Sequence, residues 1–516
     1  MAFKIGAVPE CKTDEIFAPE DEDWLQDWMK LGAQRLLLRF MSRKNNKNQV
    51  LQHLLVEDYA AEGKSLSRVN GKVIFIEGAV PGDVVDVLLG KSKKDWAEGK
   101  AIRIHTLSAN RTAPFCSHFG ICGGCKWQML PYDKQLAYKQ NEVEQNLRRL
   151  GQIHLPPVMP ILGCDKTVRY RNKLEFTFSN HRYKTWEEIQ NDPSPLQPRA
   201  ERKEDPALGF HVPRIFDKVI DITTCHLMEE PTNAVKNTIR DFAMQQGYAF
   251  YDIRRHTGWL RNLIIRVCTT GEVMVNICLA YEEKTEQQKL MDHLLARVPS
   301  VTTLLYTINA KKNDSIYDLE PEIYYGKGYI TEWLEDFQFR ISPKSFFQTN
   351  SRQGEKLYKV AREFAELTGS ETVYDLYCGT GSIGIFVSKQ AKKVIGVELV
   401  PEAIADAKEN ALLNNIGHAG FFAGDVIDIC NDTFFAEHGK PDVIITDPPR
   451  AGMHDKLVRK ILEMQAPVVV YVSCNSATQA RDLQLLHEKY EVTKVQPVDM
   501  FPHTHHIENV VQLKLR

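Results

Sequence analysis

Two apolar segments near the C-terminus are each followed by a side chain that could do chemistry. Cys474 lies just beyond the apolar run 467–472, and Asp447 lies just beyond the run 442–446. A further acid, Glu508, follows close to the end of the chain. A thiolate can add to an electron-poor carbon atom, and a carboxylate can remove a proton from the resulting adduct. These residues therefore indicate covalent nucleophilic catalysis, provided that the last strands fold beside Cys474.

Each of these residues alone also has a purely structural interpretation. A cysteine after a strand is most often a packed core residue, and an acid before two prolines often caps a turn. Hydrogen bonding or RNA contact explains the nearby histidines better than a metal site does, because no ligand set completes them. They are His503, His505 and His506. Only the combination of thiol and carboxylates favours catalysis.

A glycine-rich loop between a strand pattern and a helix pattern predicts a cofactor pocket. Residues 372–384 read as a strand, a turn with Gly379 and Gly381, and the start of a helix. Glycines at such a turn let the backbone approach a ligand closely. The next strand, 394–398, ends in Glu398 about twenty residues beyond the glycines, where a carboxylate can accept both ribose hydroxyls. The loop alone is weak evidence, because NAD enzymes carry similar turns.

The elements that must position these residues belong to several domains, because 516 residues exceed what one core usually holds. We predict an N-terminal extension of unknown role at 1–46, a small β-barrel at 47–107, a central region at 108–345 and an α/β domain with a mostly parallel sheet at 346–516. Met41 reads as a second start, so we interpret the region before it as dispensable or as a mispredicted start. The polar segment 183–205 predicts an exposed loop.

The barrel prediction depends on short alternating runs separated by turn signals. The turns fall at Asn70-Gly71 and at residues 81–83. About five strands in this length are typical of an OB-like barrel, a common platform for nucleic acids. Between residues 64 and 103, lysine and arginine outnumber the acids. That excess fits RNA binding, and it is equally expected of a solvated accessory barrel.

Composition says more about where the protein is located in the cell than about what it does. The hydrophobic fraction of 43% and the charged fraction of 26% are ordinary for a soluble protein, and a net charge of −2 neither favours nor excludes nucleic acid. No apolar run reaches about eighteen residues, which predicts no membrane span. The acidic N-terminus lacks the order of a signal peptide. We therefore expect a cytoplasmic protein with no obligate protein partner evident, whose 11 cysteines are ligands or nucleophiles rather than disulfides.

Five motifs together resemble, in order and spacing, those of the RNA 5-methyluridine methyltransferases. They occupy residues 346–350, 375–379, 447–450, 473–475 and 501–508. The likeness covers residues 48–516, and the glycine loop resembles the methyltransferase version rather than that of the dehydrogenases. It implies a multidomain α/β protein with an N-terminal TRAM-like OB β-barrel, a central α+β iron–sulfur domain and a C-terminal class I, Rossmann-like S-adenosylmethionine methyltransferase domain.

The resemblance also implies a role for each site residue. Cys474 adds to C6 of uracil, C5 takes the methyl group of S-adenosylmethionine, and Glu508 removes the C5 proton. Asp447 orients the uracil or the cysteine. The residues expected to bind the cofactor are Gln348, Asp375, Tyr377, Gly379, Glu398, Asp425 and Asp447.

Three cysteines in one loop predict a metal centre. Cys116, Cys122 and Cys125 are close in sequence, and two glycines between the last two let the chain wrap a bulky group. Their spacing differs from that of radical S-adenosylmethionine enzymes and leaves both iron–sulfur and zinc open. The Cys-Gly-Gly-Cys run before Trp127 resembles the cluster-bearing branch of the same family, which implies a 4Fe–4S cluster with Cys225 as fourth ligand. We expect this cluster to be structural or to organise RNA, because methyl transfer needs no electron.

RNA is the expected partner. The basic runs 169–173 and 254–266 match basic positions of the family, and the target base must be flipped out before a cysteine can reach it. Barrel and cluster together favour 23S rRNA by resemblance, with tRNA as the alternative. Two other classes stay open. An exocyclic-amine methyltransferase would carry Tyr or Phe where this chain has Arg450, and a non-catalytic cluster-bearing protein would bind RNA without methyl transfer.

Overall fold

The computed structural model describes residues 49–191 and 204–516. The predictions for residues 1–46 and for Met41 lie outside the described residues. The described chain forms three sheets and a separate hairpin, in the order barrel, central sheet, hairpin and C-terminal sheet. Among the described residues, no helix is both long and apolar enough to cross a bilayer.

The N-terminal sheet has six strands, one more than the sequence pattern suggests. The additional strand, β2, is only two residues long, which is too short to show an alternating pattern. The strands are β1 Val50–Leu55, β2 Asp58–Tyr59, β3 Ser65–Val69, β4 Lys72–Glu77, β5 Val84–Ser92 and β6 Trp96–Thr106. Their order is β1-β5-β6-β4-β3-β2. The predicted turn joins β3 to β4, and Asn70 and Gly71 both have positive φ, 50° and 79°, as tight hairpin turns require.

The central domain is built on a seven-stranded sheet of order β13-β12-β11-β10-β7-β8-β9. Its strands are β7 Lys173–Ser179, β8 Ala207–His211, β9 Val219–Asp221, β10 Leu260–Val267, β11 Val273–Leu279, β12 Thr303–Ile308 and β13 Glu322–Tyr325. Its helices are α1 Tyr132–Arg149, which precedes the sheet, α2 Trp186–Gln190, α3 Thr232–Gln246 and α4 Lys284–Arg297. Buried residues of α3 and α4 share one apolar core with the sheet.

The polar segment 183–205 is not wholly a loop. Helix α2 forms at its start because Thr185 and Glu188 make a capping box, in which each side chain bonds the other's backbone N–H. The prediction of a loop was therefore wrong for residues 186–190. Residues 192–203 lie outside the described residues.

The C-terminal sheet is mostly parallel, as predicted. Its order is β18-β17-β16-β19-β20-β22-β21, and only β22 and β21 pair antiparallel to their neighbours. The strands are β16 Thr372–Leu376, β17 Lys393–Glu398, β18 Ala419–Ala423, β19 Val443–Thr446, β20 Val468–Ser473, β21 Tyr490–Val498 and β22 Glu508–Leu515. A hairpin, β14 Ile330–Leu334 with β15 Phe337–Ile341, leads into this domain.

Helices cover the C-terminal sheet, so its central strands are buried on both faces and read as continuous apolar runs. The helices are α5 Ser351–Ala365, α6 Ser382–Val387, α7 Pro401–Leu413, α8 Val426–Ile429, α9 Asp432–His438, α10 Asp455–Met464 and α11 Ser476–Leu486. Parallel strands end at the same edge of a sheet. The loops after β16, β17, β19 and β20 therefore meet at one edge, where the candidate residues lie.

Candidate active site

The catalytic candidates, the four cysteine candidates and five of the seven cofactor candidates line one large cavity. Its volume is about 1700 Å³, and its wall includes Cys474, Asp447 and Glu508. The glycine loop and the cysteine loop contribute other parts of the same wall. The cavity thus lies between the C-terminal sheet edge and the central domain, which the sequence pattern did not place together.

Cys474 and Glu508 are neighbours because of strand pairing. β20 pairs antiparallel with β22, and Ser473 lies opposite Asn509 in the register. Cys474 follows the end of β20, and Glu508 begins β22. The condition set by the sequence, that the last strands fold beside Cys474, is therefore met.

The environment of Cys474 favours the neutral thiol. Burial raises the pKa of Cys474 to about 11, and the nearby carboxylates of Glu508 and Asp447 add to the shift. The Glu508 side chain is buried, and burial together with Asp447 raises the pKa of its carboxyl well above the usual range. Burial likewise raises the pKa of Asp447. Burial thus favours the neutral forms of all three acidic groups.

Arg450 is the cation that faces these acids, and the sequence pattern gave it no role. Its guanidinium lies close enough to Cys474 and Glu508 to lower the pKa of both groups. The same guanidinium donates to the imidazole of His506. The signal was its place directly after Asp447 and two prolines, at the end of a buried strand.

The glycine loop is shaped as a cradle on the wall of the cavity. The N–H of Gly379 donates to Glu398 at 3.2 Å, and the N–H of Val400 donates to the same carboxylate at 3.0 Å. Tyr377, Gly379 and Gly381 all have positive φ. Of the predicted cofactor residues, those that line the cavity are Gln348, Tyr377, Gly379, Glu398 and Asp447.

Asp375 and Asp425 do not line this cavity. Asp375 is buried behind the glycine loop, where it accepts a hydrogen bond from the N–H of Gly384 at 2.8 Å and so fixes the start of α6. Asp425 accepts from the N–H of Ile427 at 2.8 Å and caps α8. Both carboxylates therefore support the neighbouring backbone, and their predicted contacts with a cofactor stay predictions.

The four predicted metal-ligating cysteines converge at another part of the cavity wall, and all are free thiols. Burial raises the pKa of Cys125 to about 12, and Cys122, Cys225 and Cys116 raise it further because they lie nearby. Side chains accept hydrogen bonds from the backbone N–H groups of the first and last of these cysteines. Gln128 accepts from the N–H of Cys116 at 3.2 Å, and Asn233 accepts from the N–H of Cys225 at 2.8 Å.

A second group of metal-ligand types lies on the barrel. The ligand atoms of His53, Asp86 and His105 all lie within 4.8 Å of one another. His105 Nε2 is 2.7 Å from Asp86 Oδ1, and the two imidazoles are stacked, 16° from parallel. Ring-nitrogen lone pairs lie in the ring plane, so stacked rings do not point at a common ion. This arrangement is a histidine–aspartate pair that links the neighbouring strands β1, β5 and β6, since Asp86 also accepts from the backbone N–H of His53.

Only part of the predicted basic surface is available for RNA. Arg171 and Lys173 line the cavity. In the second run, however, Arg261 and Arg266 are almost wholly buried and bond backbone carbonyls. The prediction that Arg261 contacts RNA was wrong, because it lies on strand β10 inside the domain. Arg266, on the same strand, lines the cavity with Arg171 and Lys173, so its contact with RNA stays a prediction. Arg255 stays exposed.

Comparison with known proteins decides the family. The chain is 53% identical to an uncharacterized RNA methyltransferase of Bacteroides thetaiotaomicron, over 89% of this chain and 100% of that protein. It is 48% identical to an uncharacterized RNA methyltransferase of Porphyromonas gingivalis, over 89% of this chain and 98% of that protein. Residues 430–516, which contain Cys474 and Glu508, match the family described as tRNA (Uracil-5-)-methyltransferase. The chain belongs to the RNA uracil-5-methyltransferase family.

Other matches fit the architecture of this RNA methyltransferase. Residues 51–102 match the TRAM domain, and residues 357–468 match the methyltransferase small domain. The first match confirms the predicted TRAM-like barrel. Among solved structures, a Pyrococcus abyssi tRNA (uracil-54, C5)-methyltransferase in complex with S-adenosyl-L-homocysteine has a TM-score of 0.67 and 25% identity. The match covers 90% of this chain and 100% of that one.

Proposed function

We propose that this enzyme methylates C5 of uridine in RNA through a covalent cysteine adduct, with S-adenosylmethionine as methyl donor. The observation that carries the proposal is the convergence of Cys474, Arg450 and Glu508 on the cavity that the glycine loop also lines. A nucleophile, a cation beside it and a buried carboxyl are the groups that this reaction needs.

The proposed reaction assigns one step to each group. The Cys474 sulfur adds to C6 of uracil, and the electron pair of the C5–C6 bond moves so that C5 becomes nucleophilic. C5 takes the methyl group from the sulfonium sulfur, which leaves as a neutral thioether. Glu508 removes the remaining proton from C5, the C5–C6 double bond re-forms and the cysteine leaves. Arg450 stabilises the thiolate before addition and after elimination.

The charge of the pocket fits the proposed methyl donor. Burial raises the pKa of Asp375 to about 7, and the neighbouring Asp447 and Glu398 add to that shift. Glu398 and Asp447 line the cavity, and Asp375 is buried behind the glycine loop, close enough for both carboxylates to raise its pKa. A sulfonium ion carries the positive charge that would stabilise their ionised forms.

The RNA substrate is the open part of the proposal. We propose 23S rRNA, from the resemblance of barrel and cysteine loop. The alternative substrate is tRNA. The similarity to the Pyrococcus abyssi enzyme named for tRNA uracil-54, which covers 90% of this chain, supports that alternative.

Nucleoside mapping tests the function and the substrate together. We expect 5-methyluridine to disappear from one position of rRNA when the gene is deleted, and to return with wild-type enzyme. Its loss from tRNA instead would select the alternative. An unchanged 5-methyluridine content in both RNAs would contradict uridine C5 methylation.

We predict that Arg450 sets the pH dependence of the reaction. The raised pKa of Cys474 leaves mostly thiol at neutral pH, so kcat/KM for RNA should rise between about pH 7 and pH 9 as thiolate forms. Arg450→Met removes the group that lowers this pKa. The rise should therefore shift to higher pH, and activity at pH 7.5 should fall about tenfold or more.

The matched control is Arg459→Met, which removes an exposed arginine from α10. The pH profile of each variant is obtained by measuring methyl transfer from labelled cofactor to RNA at fixed times. If the pH profile of Arg450→Met is the same as that of wild type, Arg450 does not act on the Cys474 thiol.

We also propose that Cys116, Cys122, Cys125 and Cys225 hold a 4Fe–4S cluster. The four thiols lie close enough to raise one another's pKa, and metal binding would replace their protons and supply the four thiolates that such a cluster needs. A tetrahedral zinc site needs sulfurs about 3.8 Å apart, given Zn–S distances near 2.3 Å. In the described chain, no three of these sulfurs lie within 4.8 Å of one another, which suits a larger group. The cluster would tie the loop to the central domain, and no step of the methyl transfer uses it.

A pair of adjacent glycines provides a matched test of the cysteine loop. Gly123 has φ +76°, and a Cβ there would lie 2.3 Å from Cγ of Pro213. A Cβ on Gly124 would meet only the sulfur of Cys122, at 3.8 Å. We therefore expect Gly123→Ala to lose most of its iron and sulfide, and Gly124→Ala to keep them.

Anaerobic purification followed by iron, zinc and acid-labile sulfide analysis gives the metal content. Wild-type protein should contain iron and sulfide in equal amounts. It should also show a broad visible absorption band at about 400 nm, as is typical of iron–sulfur clusters. Stoichiometric zinc without sulfide would contradict the cluster.

A further inference from the structure

One face of α1 carries polar side chains where a packed helix is normally apolar. They are Tyr132, Gln135, Lys139 and Asn146. Their spacing of three, four and seven residues puts them on the same side of the helix. Gln135 and Lys139 are wholly buried. Because buried polar groups need partners, the partners show what this face contacts.

Lys139 forms a buried ion pair with Asp499, which is 360 residues away in sequence. The Lys139 Nζ to Asp499 Oδ1 distance is 2.6 Å, and neither side chain is exposed. Tyr132 donates to the other carboxylate oxygen at 2.8 Å. Lys139 also donates to the carbonyl of Phe501 at 3.2 Å, and the N–H of Phe501 donates back to Asp499 at 3.0 Å. The ion pair thus holds the start of the loop 499–507.

Gln135 holds the middle of the same loop. Its side-chain oxygen accepts from the N–H of His503 at 2.8 Å, and its amide donates to the carbonyls of Trp127 and Leu130. The carbonyl of His503 in turn accepts from the backbone N–H of Trp127 at 3.0 Å. The loop is therefore bonded to α1 and to the segment that precedes it, and it then runs directly into Glu508.

The C-terminal end of α1 contacts the segment that follows Cys474. Asn146 donates to the hydroxyl of Ser476 at 2.9 Å. Ser476 begins α11, two residues after Cys474. One helix from the central domain thus bonds to the segments that carry both candidate catalytic side chains.

We propose that Lys139 is a positioning residue for the methyl-transfer reaction, which acts through Asp499 and the loop 499–507 to place Glu508 against C5 of the target base. The proposal rests on the proposed function of Glu508. An ion pair suits this task because its hydrogen bonds to Asp499 and Phe501 fix direction, whereas apolar packing of equal volume fixes only distance. Lys139 itself is wholly buried and does not line the cavity.

The ion pair predicts a selective defect. Lys139→Met should leave addition of Cys474 almost unchanged, because β20 and β22 still pair. Removal of the C5 proton should slow about a hundredfold, since a displacement near 1 Å of a catalytic group has effects of that order. The adduct with ordinary uridine RNA should therefore persist, as is also expected when Glu508 itself is replaced.

The experiment measures formation and decay of the adduct separately in the full-length enzyme. Rapid-quench denaturing gels follow the adduct with uridine RNA, and 5-fluorouridine RNA reports its formation alone. We expect Lys139→Met to form the 5-fluorouridine adduct within about threefold of the wild-type rate and to resolve the uridine adduct slowly. Arg148→Met, which removes an exposed charge from the same helix, is the matched control and should behave as wild type.

Two further variants separate positioning from stability. Lys139→Met with Asp499→Asn leaves no unpaired buried charge, so it should fold even if the single variant does not, yet it should still resolve the adduct slowly. Tyr132→Phe removes one hydrogen bond to Asp499 and should give a smaller slowing in the same step. Adduct decay at the wild-type rate in the double variant would overturn the proposal. Failure of wild-type enzyme to form any 5-fluorouridine adduct would instead overturn the proposed function.

Discussion

Replacing Cys474 by alanine is expected to abolish methyl transfer to RNA, with a loss of at least about 10⁴-fold in kcat. The proposed reaction has no route around addition to C6, since C5 of uracil is otherwise a poor nucleophile. The same variant should form no heat-stable complex with 5-fluorouridine RNA, in which fluorine replaces the proton that must leave C5. Denaturing gel electrophoresis and transfer of label from the cofactor measure the two effects.

The half-buried position of Cys474 makes this result interpretable. The side chain lines the cavity rather than filling the core, so its loss should change the melting temperature little. Cys430→Ala, in a core position of the same domain, is the matched control and should retain activity even if it lowers stability. Trapping that survives Cys474→Ala would assign the nucleophile to another residue.

Replacing Glu508 by glutamine is expected to stop the reaction one step later. Glutamine has nearly the same shape but cannot accept a proton, so the methylated adduct should form and then fail to break down. Loss of a general base costs on the order of 10² to 10⁴ in rate. A covalent enzyme–RNA complex should therefore accumulate with ordinary uridine RNA, and its mass should include the transferred methyl group.

The two variants give opposite gel patterns, which makes them a paired test. Cys474→Ala should show no complex, whereas Glu508→Gln should show more complex than wild type. Glu491→Gln, at an exposed position on β21, controls for loss of a carboxylate near the C-terminus. Multiple turnover by Glu508→Gln at the wild-type rate would assign proton removal elsewhere, with Asp447 the next carboxylate to test.

Both results depend on the shared charge of the site. Cys474, Asp447 and Glu508 are acidic groups in one partly buried region, where Asp447 raises the pKa of the other two groups and Glu508 raises that of Cys474. Arg450 opposes these shifts from the cavity wall. In the proposed reaction, Cys474 carries a negative charge before addition and Glu508 takes up a proton afterwards. The rate of each step therefore depends on how these groups are placed relative to one another.

The amino-acid sequence by itself determined the glycine loop, the strand ends and the family resemblance. These are local features: Gly379 and Gly381 permit positive φ, and an apolar run such as that before Cys474 specifies a strand wherever it packs. The turn at Asn70-Gly71 and the TRAM barrel follow for the same reason. Periodicity and turn chemistry act over a few residues, and such patterns can be read directly.

Only the tertiary structure decided which distant segments meet. It placed the cysteine loop on the wall of the candidate catalytic cavity, and it buried Arg261, whose exposed basic role the sequence had favoured. It also paired Lys139 with Asp499 across 360 positions. No local pattern encodes such contacts, because they result from the way whole domains pack. In this protein, the residues that can do the chemistry are visible in the sequence, and the groups that hold them in place become visible only in the fold.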